Sequence, residues 1–386
     1  MTTTVIAPGR LGNPGLEMRG DPRADPRMIA ALAPFGLDGA GPPAPVAATG
    51  PRADRLEFAL AGEAGFEAVF AALVDGLPEV DVERTTETIE GGDGNPVTLH
   101  ISRPRGVSGP LPGVLHLHGG GGMVILQAAG PMYCRIRDEL AATGLVVVGV
   151  EFRNGAGVLG AHLFPAGLDD CANALAWMHE HRAALGVSSI TVAGESGGGN
   201  LTLATALRAK RDGTLHMIDG VYAMVPYISG AYADPPPALA SLVENEGYFL
   251  EPGVLGVMAS VYAEGEHATD PLCWPYYAEA DDLAGLPPHV ISVCELDPLR
   301  DEGAAYYRKL AAAGVSARGR TVLGVCHAGD LIFRRDIPEN YWATLNDIHA
   351  FCDYQRSGSA AFQSAAQPFG APASSSPGSS QSNSSA

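Results

Sequence analysis

The chain has 386 residues, 46% of them hydrophobic and 17% charged, enough to bury one large core, and its apolar runs stay short of the roughly 18 residues that a membrane span requires. With 43 acidic against 24 basic side chains the formal charge is -19, a field that repels phosphate backbones and anionic lipid, so neither nucleic acid nor a membrane is expected as a partner. The six cysteines, Cys134, Cys171, Cys273, Cys294, Cys326 and Cys352, lie far apart without a CxxC pair, which argues against zinc and redox motifs and for buried free thiols.

The start, "MTTTVIAPGR", has neither the charged nor the apolar region of a secretory signal, so a cytoplasmic address is expected. Residues 1–55 are dominated by Pro, Gly and Ala and read as an extended arm. A helix follows over "RLEFALAGEAGFEAVFAALVDGL", where apolar residues recur at three- and four-residue spacing. Next, "ERTTETIE" and "PVTLHIS" flank the turn-forming "GGDGN" and predict an antiparallel hairpin. The short apolar runs "GVLHLH", "LVVVGVE", "ITVAGE", "GVYAMVP", "HVISVCELD" and "RTVLGV" read as strands, mostly separated by amphipathic segments such as "CANALAWMHEH" and "AAYYRKLAAAG". Strand alternating with helix predicts an α/β fold with a parallel sheet covered on both faces. The gap from Tyr227 to Pro288 is too long for a simple crossover and must hold an insertion, of the kind that covers a site at the carboxyl end of a sheet. From about Ser357 to the end, "ASSSPGSSQSNSSA", the chain has too few apolar residues to repay its ordering entropy and is expected to be disordered.

One stretch asks for a chemical explanation. Gly194-Glu195-Ser196-Gly197-Gly198 fits G-x-S-x-G between a predicted strand and the helical "LTLATALRAKR", the context of a nucleophile elbow. The competing reading is a phosphate-binding loop or a plain turn. A serine hydroxyl is a poor nucleophile near neutrality, so the first reading needs a base, an acid to orient it, and donors for an oxyanion. Upstream, "LHLHGGGGM" puts His118 at a strand end before Gly119 to Gly122, where backbone N–H groups can converge without side chains in the way. Downstream, "CELDPLRDEG" supplies Asp297 and "LGVCHAGD" supplies His327, each near a strand end. Glu295, Asp301 and Glu302 compete as the acid, the first inside the strand and the others in the first turn of the next helix, where carboxylates favour the dipole. His179, His181 and His349 fall in helices and read as surface or packing residues. His116 and His118 form an HxH pair, but no third ligand is apparent and no metal is expected.

HGGG ahead of G-x-S-x-G-G, with "DPLRDE" and a later histidine, resembles the hormone-sensitive-lipase family of α/β-hydrolases from about Glu83 to Phe351, and within it the bacterial brefeldin A esterase type. The resemblance implies an eight-stranded, mostly parallel sheet flanked by helices, with a helical cap. Residues 1–82 would be an arm and part of that cap, 83–356 the catalytic domain with a cap insertion at about 228–287, and 357–386 the tail. It makes Ser196 the nucleophile, Asp297 the orienting acid and His327 the base, with the N–H groups of Gly120, Gly121 and Gly197 as oxyanion donors. His118 would brace the loop and Glu195 bond nearby backbone. The chain departs from the family in having GESGGGN for GDSAGGN, Gly122-Met123 where an aromatic residue follows HGGG, "FRNGAG" for YRLAPE, and "HAGD" at the histidine.

The function implied is carboxylic ester hydrolysis on small, short-acyl esters through an acyl-enzyme, without a metal or organic cofactor. A lactonase or amidase would use the same triad, and a small-molecule receptor the same capped pocket; an interaction module would rest only on the Ser-rich tail. Tyr227, Tyr248, Phe249 and Trp274 are candidates for an apolar pocket wall. Oligomeric state is left open, although an exposed last strand could pair two copies as a homodimer.

Overall fold

The eight segments read as strands form one sheet in a computed structural model that describes residues 10–121 and 123–357. Gly122, the residues before Arg10 and the Ser-rich tail after Ser357 lie outside the described residues. The strands are β1 (Val82–Glu90), β2 (Pro96–Pro104), β3 (Leu111–Leu117), β4 (Val146–Glu151), β5 (Val187–Glu195), β6 (Gly220–Met224), β7 (His289–Cys294) and β8 (Ala317–Val322). Their spatial order is β1-β2-β4-β3-β5-β6-β7-β8. β1 and β2 form the hairpin and β2 runs antiparallel to β4, while every other pairing is parallel. β4, β6 and β7 are buried along almost their whole length, as a parallel sheet covered on both faces requires. The edges differ: β1 exposes its Glu and Thr side chains, whereas β8 exposes Arg318 and Thr321 and leaves Arg320 half-buried.

Twelve helices lie among the described residues: α1 (Pro26–Leu32), α2 (Arg52–Val74), α3 (Pro131–Ala142), α4 (Ala166–Glu180), α5 (Arg182–Leu185), α6 (Gly197–Arg211), α7 (Ser241–Glu244), α8 (Pro252–Tyr262), α9 (Ala280–Leu283), α10 (Arg300–Ala312), α11 (Gly329–Ile332) and α12 (Pro338–Ser357). The segment between β6 and β7 carries α7, α8 and α9. No helix among the described residues is long and apolar enough to cross a membrane.

The extended arm is corrected. Asp25 accepts the N–H of Arg27 and Pro26 takes the first helical position, so α1 starts on a capped turn inside the Pro- and Gly-rich stretch. Its Met28 and Leu32 are wholly buried, as is Met18 ahead of it. Of the cysteines, all are free; Cys134 is half-buried and the other five are buried.

The topology prepares one place for chemistry. β3 lies between β4 and β5, so the connection after β3 leaves to one side and that after β4 returns on the other. Such a reversal opens a crevice beyond the carboxyl ends of the strands. Leu117 on β3 pairs with Gly194 on β5, which sets the glycine loop after β3 beside the serine turn after β5.

Candidate active site

Ser196 stands between β5 and α6 with φ 57° and ψ -118°, a conformation that L-residues avoid unless the surroundings impose it. Those surroundings are fixed hydrogen bonds. The Ser196 N–H donates to the Met224 carbonyl at 2.9 Å, and the Ser196 carbonyl accepts from Asn200 and Tyr227. The glycines of the motif have a steric reason: a Cβ on Gly198 or Gly194 would overlap the Leu117 carbonyl oxygen, because strand and helix cross there at backbone contact. α6 begins at Gly197, earlier than "LTLATALRAKR" suggests, and its first N–H groups have no acceptor within the helix.

The glycine loop abuts this turn. A Cβ on Gly119 would sit 3.3 Å from the Cβ of Ser196. Gly120 has φ 137°, and a side chain there would overlap the Ile125 carbonyl oxygen, while the Ile125 N–H donates to the Gly120 carbonyl to close the turn. Among the described residues the N–H groups of Gly120 and Gly121 find no acceptor. Glu195 anchors the loop: one carboxylate oxygen accepts the Gly119 N–H at 2.7 Å and the other faces Nε2 of His116 at 3.1 Å. His118 Nδ1 donates to the Gly119 carbonyl at 2.7 Å, and its ring stacks on Phe152. Burial pulls the His118 pKa down to about 4, so it is neutral at physiological pH. The two strand histidines thus serve different partners, and no group of three or more His, Cys, Asp or Glu residues among the described residues is placed to hold a metal ion.

Downstream, Asp297 and His327 meet. Nδ1 of His327 lies 2.8 Å from Oδ2 of Asp297, while Oδ1 accepts the N–H of Leu299 at 2.9 Å. Asp297 is wholly buried and His327 nearly so. Both come from loops, Asp297 after β7 and His327 after β8. The rival acids are occupied elsewhere. Glu295 accepts the Gly324 N–H, Asp301 accepts the Ser241 N–H and pairs with Arg300, and Glu302 accepts from Ile228 N–H and the Tyr232 hydroxyl. His179 and His349 lie in α4 and α12, and His181 stacks on Trp177 at the end of α4.

Ser196 and His327 line one cavity of about 270 Å³, with Gly119, Gly120 and Gly121. Phe58, Phe66 and Phe70 of α2 form one wall, and Phe249, Leu255 and Met258 from the segment between β6 and β7 form another. Phe66 packs on Phe70 and edge-on to Phe249, with ring centroids 5.9 and 6.1 Å apart. Among the described residues no Lys or Arg lines this cavity. Of the aromatic candidates only Phe249 reaches it. Tyr227 stacks on Tyr232, Trp274 meets Tyr227 edge-on, and Tyr248 donates to Asp21 and the Leu16 carbonyl. The three phenylalanines of α2 had a sequence signal, the four- and eight-residue spacing that places them on one helix face. Asn245 had none: its side-chain amide holds the carbonyls of Glu295 and Asp297 from about 50 positions away.

A family described by the alpha/beta hydrolase fold matches residues 114–330. Carboxylesterase NlhH of Mycobacterium tuberculosis is 35% identical over 246 residues, 62% of this chain and 72% of its own length. An arylesterase of Saccharolobus solfataricus is 33% identical over 245 residues, 61% of this chain and 74% of its own. Among solved structures, brefeldin A esterase, described as a bacterial homologue of human hormone-sensitive lipase, superposes with a TM-score of 0.88 at 48% identity, covering 91% of this chain and 99% of its own. Esterase Est22 superposes with a TM-score of 0.77 at 36% identity, over 88% of this chain and 99% of its own.

Proposed function

We propose, from the premise that the chain belongs to the alpha/beta-hydrolase family and is a serine carboxylic ester hydrolase, that Ser196 is its nucleophile, His327 its general base and Asp297 the acid that orients the base. The observation that carries this reading is the 2.8 Å contact between His327 Nδ1 and Asp297 Oδ2, beneath a cavity that His327 shares with Ser196. Asp297 holds the Nδ1–H tautomer, which leaves Nε2 free to take a proton. Ser196 Oγ then attacks the ester carbonyl as His327 removes its proton, and the N–H groups of Gly120, Gly121 and Gly197 receive the developing oxyanion. His327 returns the proton to the leaving alcohol, and the acyl group remains on Ser196. Water, activated by the same imidazole, releases the acid.

The substrate proposed is a small, neutral, short-acyl ester. A cavity of about 270 Å³ with mainly apolar walls and no Lys or Arg among the described residues that line it supports that size and polarity. We read residues 10–82 and 228–287 as its cover, on the grounds that Phe58, Phe66, Phe70, Phe249 and Met258 come from those two pieces. The test is turnover of p-nitrophenyl esters of increasing acyl length by the unmodified protein, Ser196→Ala and His327→Ala. Each substitution is expected to remove on the order of 10⁴-fold to 10⁶-fold of kcat, and butyrate should outpace long-chain esters. Retained turnover in folded Ser196→Ala would end the reading of the site, and faster turnover on emulsified long-chain triglyceride would end the reading of the substrate.

A further inference from the structure

The loop between β8 and α11 carries His327 and contains no regular structure of its own, so where its backbone polar groups go decides how firmly the imidazole is held. Part of the answer lies toward Asp297. Glu295 N–H donates to the Val322 carbonyl, Gly324 N–H donates to the Glu295 carboxylate at 2.9 Å, and Leu296 N–H donates to the Val325 carbonyl at 3.1 Å. The rest lies in the N-terminal segment. Asp25 N–H donates to the Gly324 carbonyl at 2.9 Å, and the N–H of Cys326, the residue before His327, donates to the sulfur of Met28 at 3.2 Å. Met28 and Cys326 are both wholly buried, so water cannot replace that acceptor.

We infer that Met28 is a positioning residue for His327, acting through the Cys326 N–H. This rests on the reading of His327 as the base. A thioether is a weak acceptor, but a buried N–H without one pays its full desolvation cost, and the loop would relieve that cost by turning its peptide toward another oxygen. The peptide that would turn is Val325–Cys326, one residue ahead of His327, whose carbonyl accepts the Leu296 N–H beside Asp297. The left-handed Ala328 on the other side, φ 53°, leaves the histidine between two backbone constraints, of which Met28 supplies one. Met28 does not line the cavity, so its loss should disturb proton transfer more than substrate binding.

Met28→Leu keeps the apolar bulk and removes the acceptor. Met18→Leu is the control, since Met18 is just as buried in the same segment but its sulfur accepts no backbone N–H among the described residues. With p-nitrophenyl butyrate, Met28→Leu is expected to lower kcat by about 10-fold to 10²-fold with KM within about twofold, and to shift the acid limb of kcat/KM against pH, while Met18→Leu leaves both in place. A second measurement, the low-field proton resonance of the His327–Asp297 hydrogen bond, should move or broaden in Met28→Leu alone. Should Met28→Leu fold poorly, Met28→Gln, which offers an oxygen in place of the sulfur, is compared with Met18→Gln: the first should keep the acid limb and the low-field resonance of the unmodified protein if the acceptor is what matters, and a shift of both equal to that in Met18→Gln would overturn the proposal. Equal kcat, pH profile and resonance in the two leucine variants would overturn the proposal and leave Met28 as packing. Failure of the base assignment would look different, because His327→Ala would then remain active.

Discussion

Asp297 and Asp301 share a side chain and a stretch of sequence but not an environment. Asp297 is wholly buried with both oxygens engaged, one by the Leu299 N–H and one by His327. Asp301 sits in the first turn of α10, partly exposed, accepting the Ser241 N–H and pairing with Arg300. Asp297→Asn keeps the shape but presents the imidazole with an uncharged group that cannot stabilise its protonated form. It is expected to lower kcat on the order of 10³-fold to 10⁴-fold. Asp301→Asn gives up a screened ion pair and some dipole energy, roughly 1 kcal/mol of stability, and should leave kcat unchanged. Turnover and a urea melt on both variants check the pair, and a crippled Asp301→Asn beside an active Asp297→Asn would move the acid by one helical turn. From sequence, Asp297 and His327 could be named because each ends a loop directly after a strand, whereas nothing local to Cys326 says that its N–H ends on a methionine 298 positions away.

At the scale of elements, α2 joins the walls of the cavity to the glycine loop. Its Glu63 is 1% exposed, and its two carboxylate oxygens accept the N–H groups of Leu126 and Val158, each at 2.8 Å. Leu126 follows the glycine loop and lines the cavity, so one carboxylate fixes the helix that bears Phe58, Phe66 and Phe70 against the turn that Gly120 and Ile125 close. Glu63→Leu would strand the buried Leu126 N–H and remove the acceptor of the part-buried Val158 N–H, and is expected to cost roughly 1–3 kcal/mol and to raise KM, with Glu63→Gln intermediate. Urea unfolding and steady-state kinetics measure both, and a Glu63→Leu protein of unchanged stability would show that the helix is held by its apolar face alone. The helix itself was legible, since its apolar residues keep a regular spacing; its partners were not, since spacing says which face is buried and not what buries it. The strands were legible for a similar reason, the central ones being near-continuous apolar runs between turn residues. α1 was missed because its Pro- and Ala-rich composition resembles an arm, although Asp25-Pro26 is a helix start signal. The aromatic residues misled in the other direction: Tyr227 and Trp274 pack among the rings of the insertion, Tyr248 ties it to the N-terminal segment, and of the four candidates only Phe249, held at φ 66°, turns into the cavity.

Across the whole molecule, three buried groups set opposing responses to pH. Burial holds His118 and His289 at pKa values of about 4, below the 6.5 of the unfolded chain. Between those values the unfolded chain takes up protons that the fold refuses, so stability falls as pH drops from 6.5 toward 4. Glu302 has the opposite sign. Burial pushes its pKa up from 4.5 to about 8, so the fold keeps a proton that the unfolded chain releases, and stability falls as pH rises from 4.5 toward 8. Two histidines outweigh one carboxyl below about pH 6; above that Glu302 dominates, joined near pH 9 by the five buried cysteine thiols, whose pKa values burial raises. Midpoints of urea unfolding followed from pH 4 to 9 should therefore peak at about pH 6 to 6.5, and Glu302→Gln should flatten the decline on the alkaline side. A decline of undiminished slope in that variant would assign it to other groups. The same molecule seen in the order of its synthesis has one more property. α1 leaves the ribosome early, while the backbone groups it docks on, at Gly324 and Cys326, emerge after nearly all the rest of the fold. Until then the Met28 sulfur lacks the Cys326 N–H that it accepts in the finished fold. The pocket closes no earlier than the machinery, since His327, Ala328, Leu331 and Ile332 line it, so a nascent chain gains its cavity and its base in the same late stretch.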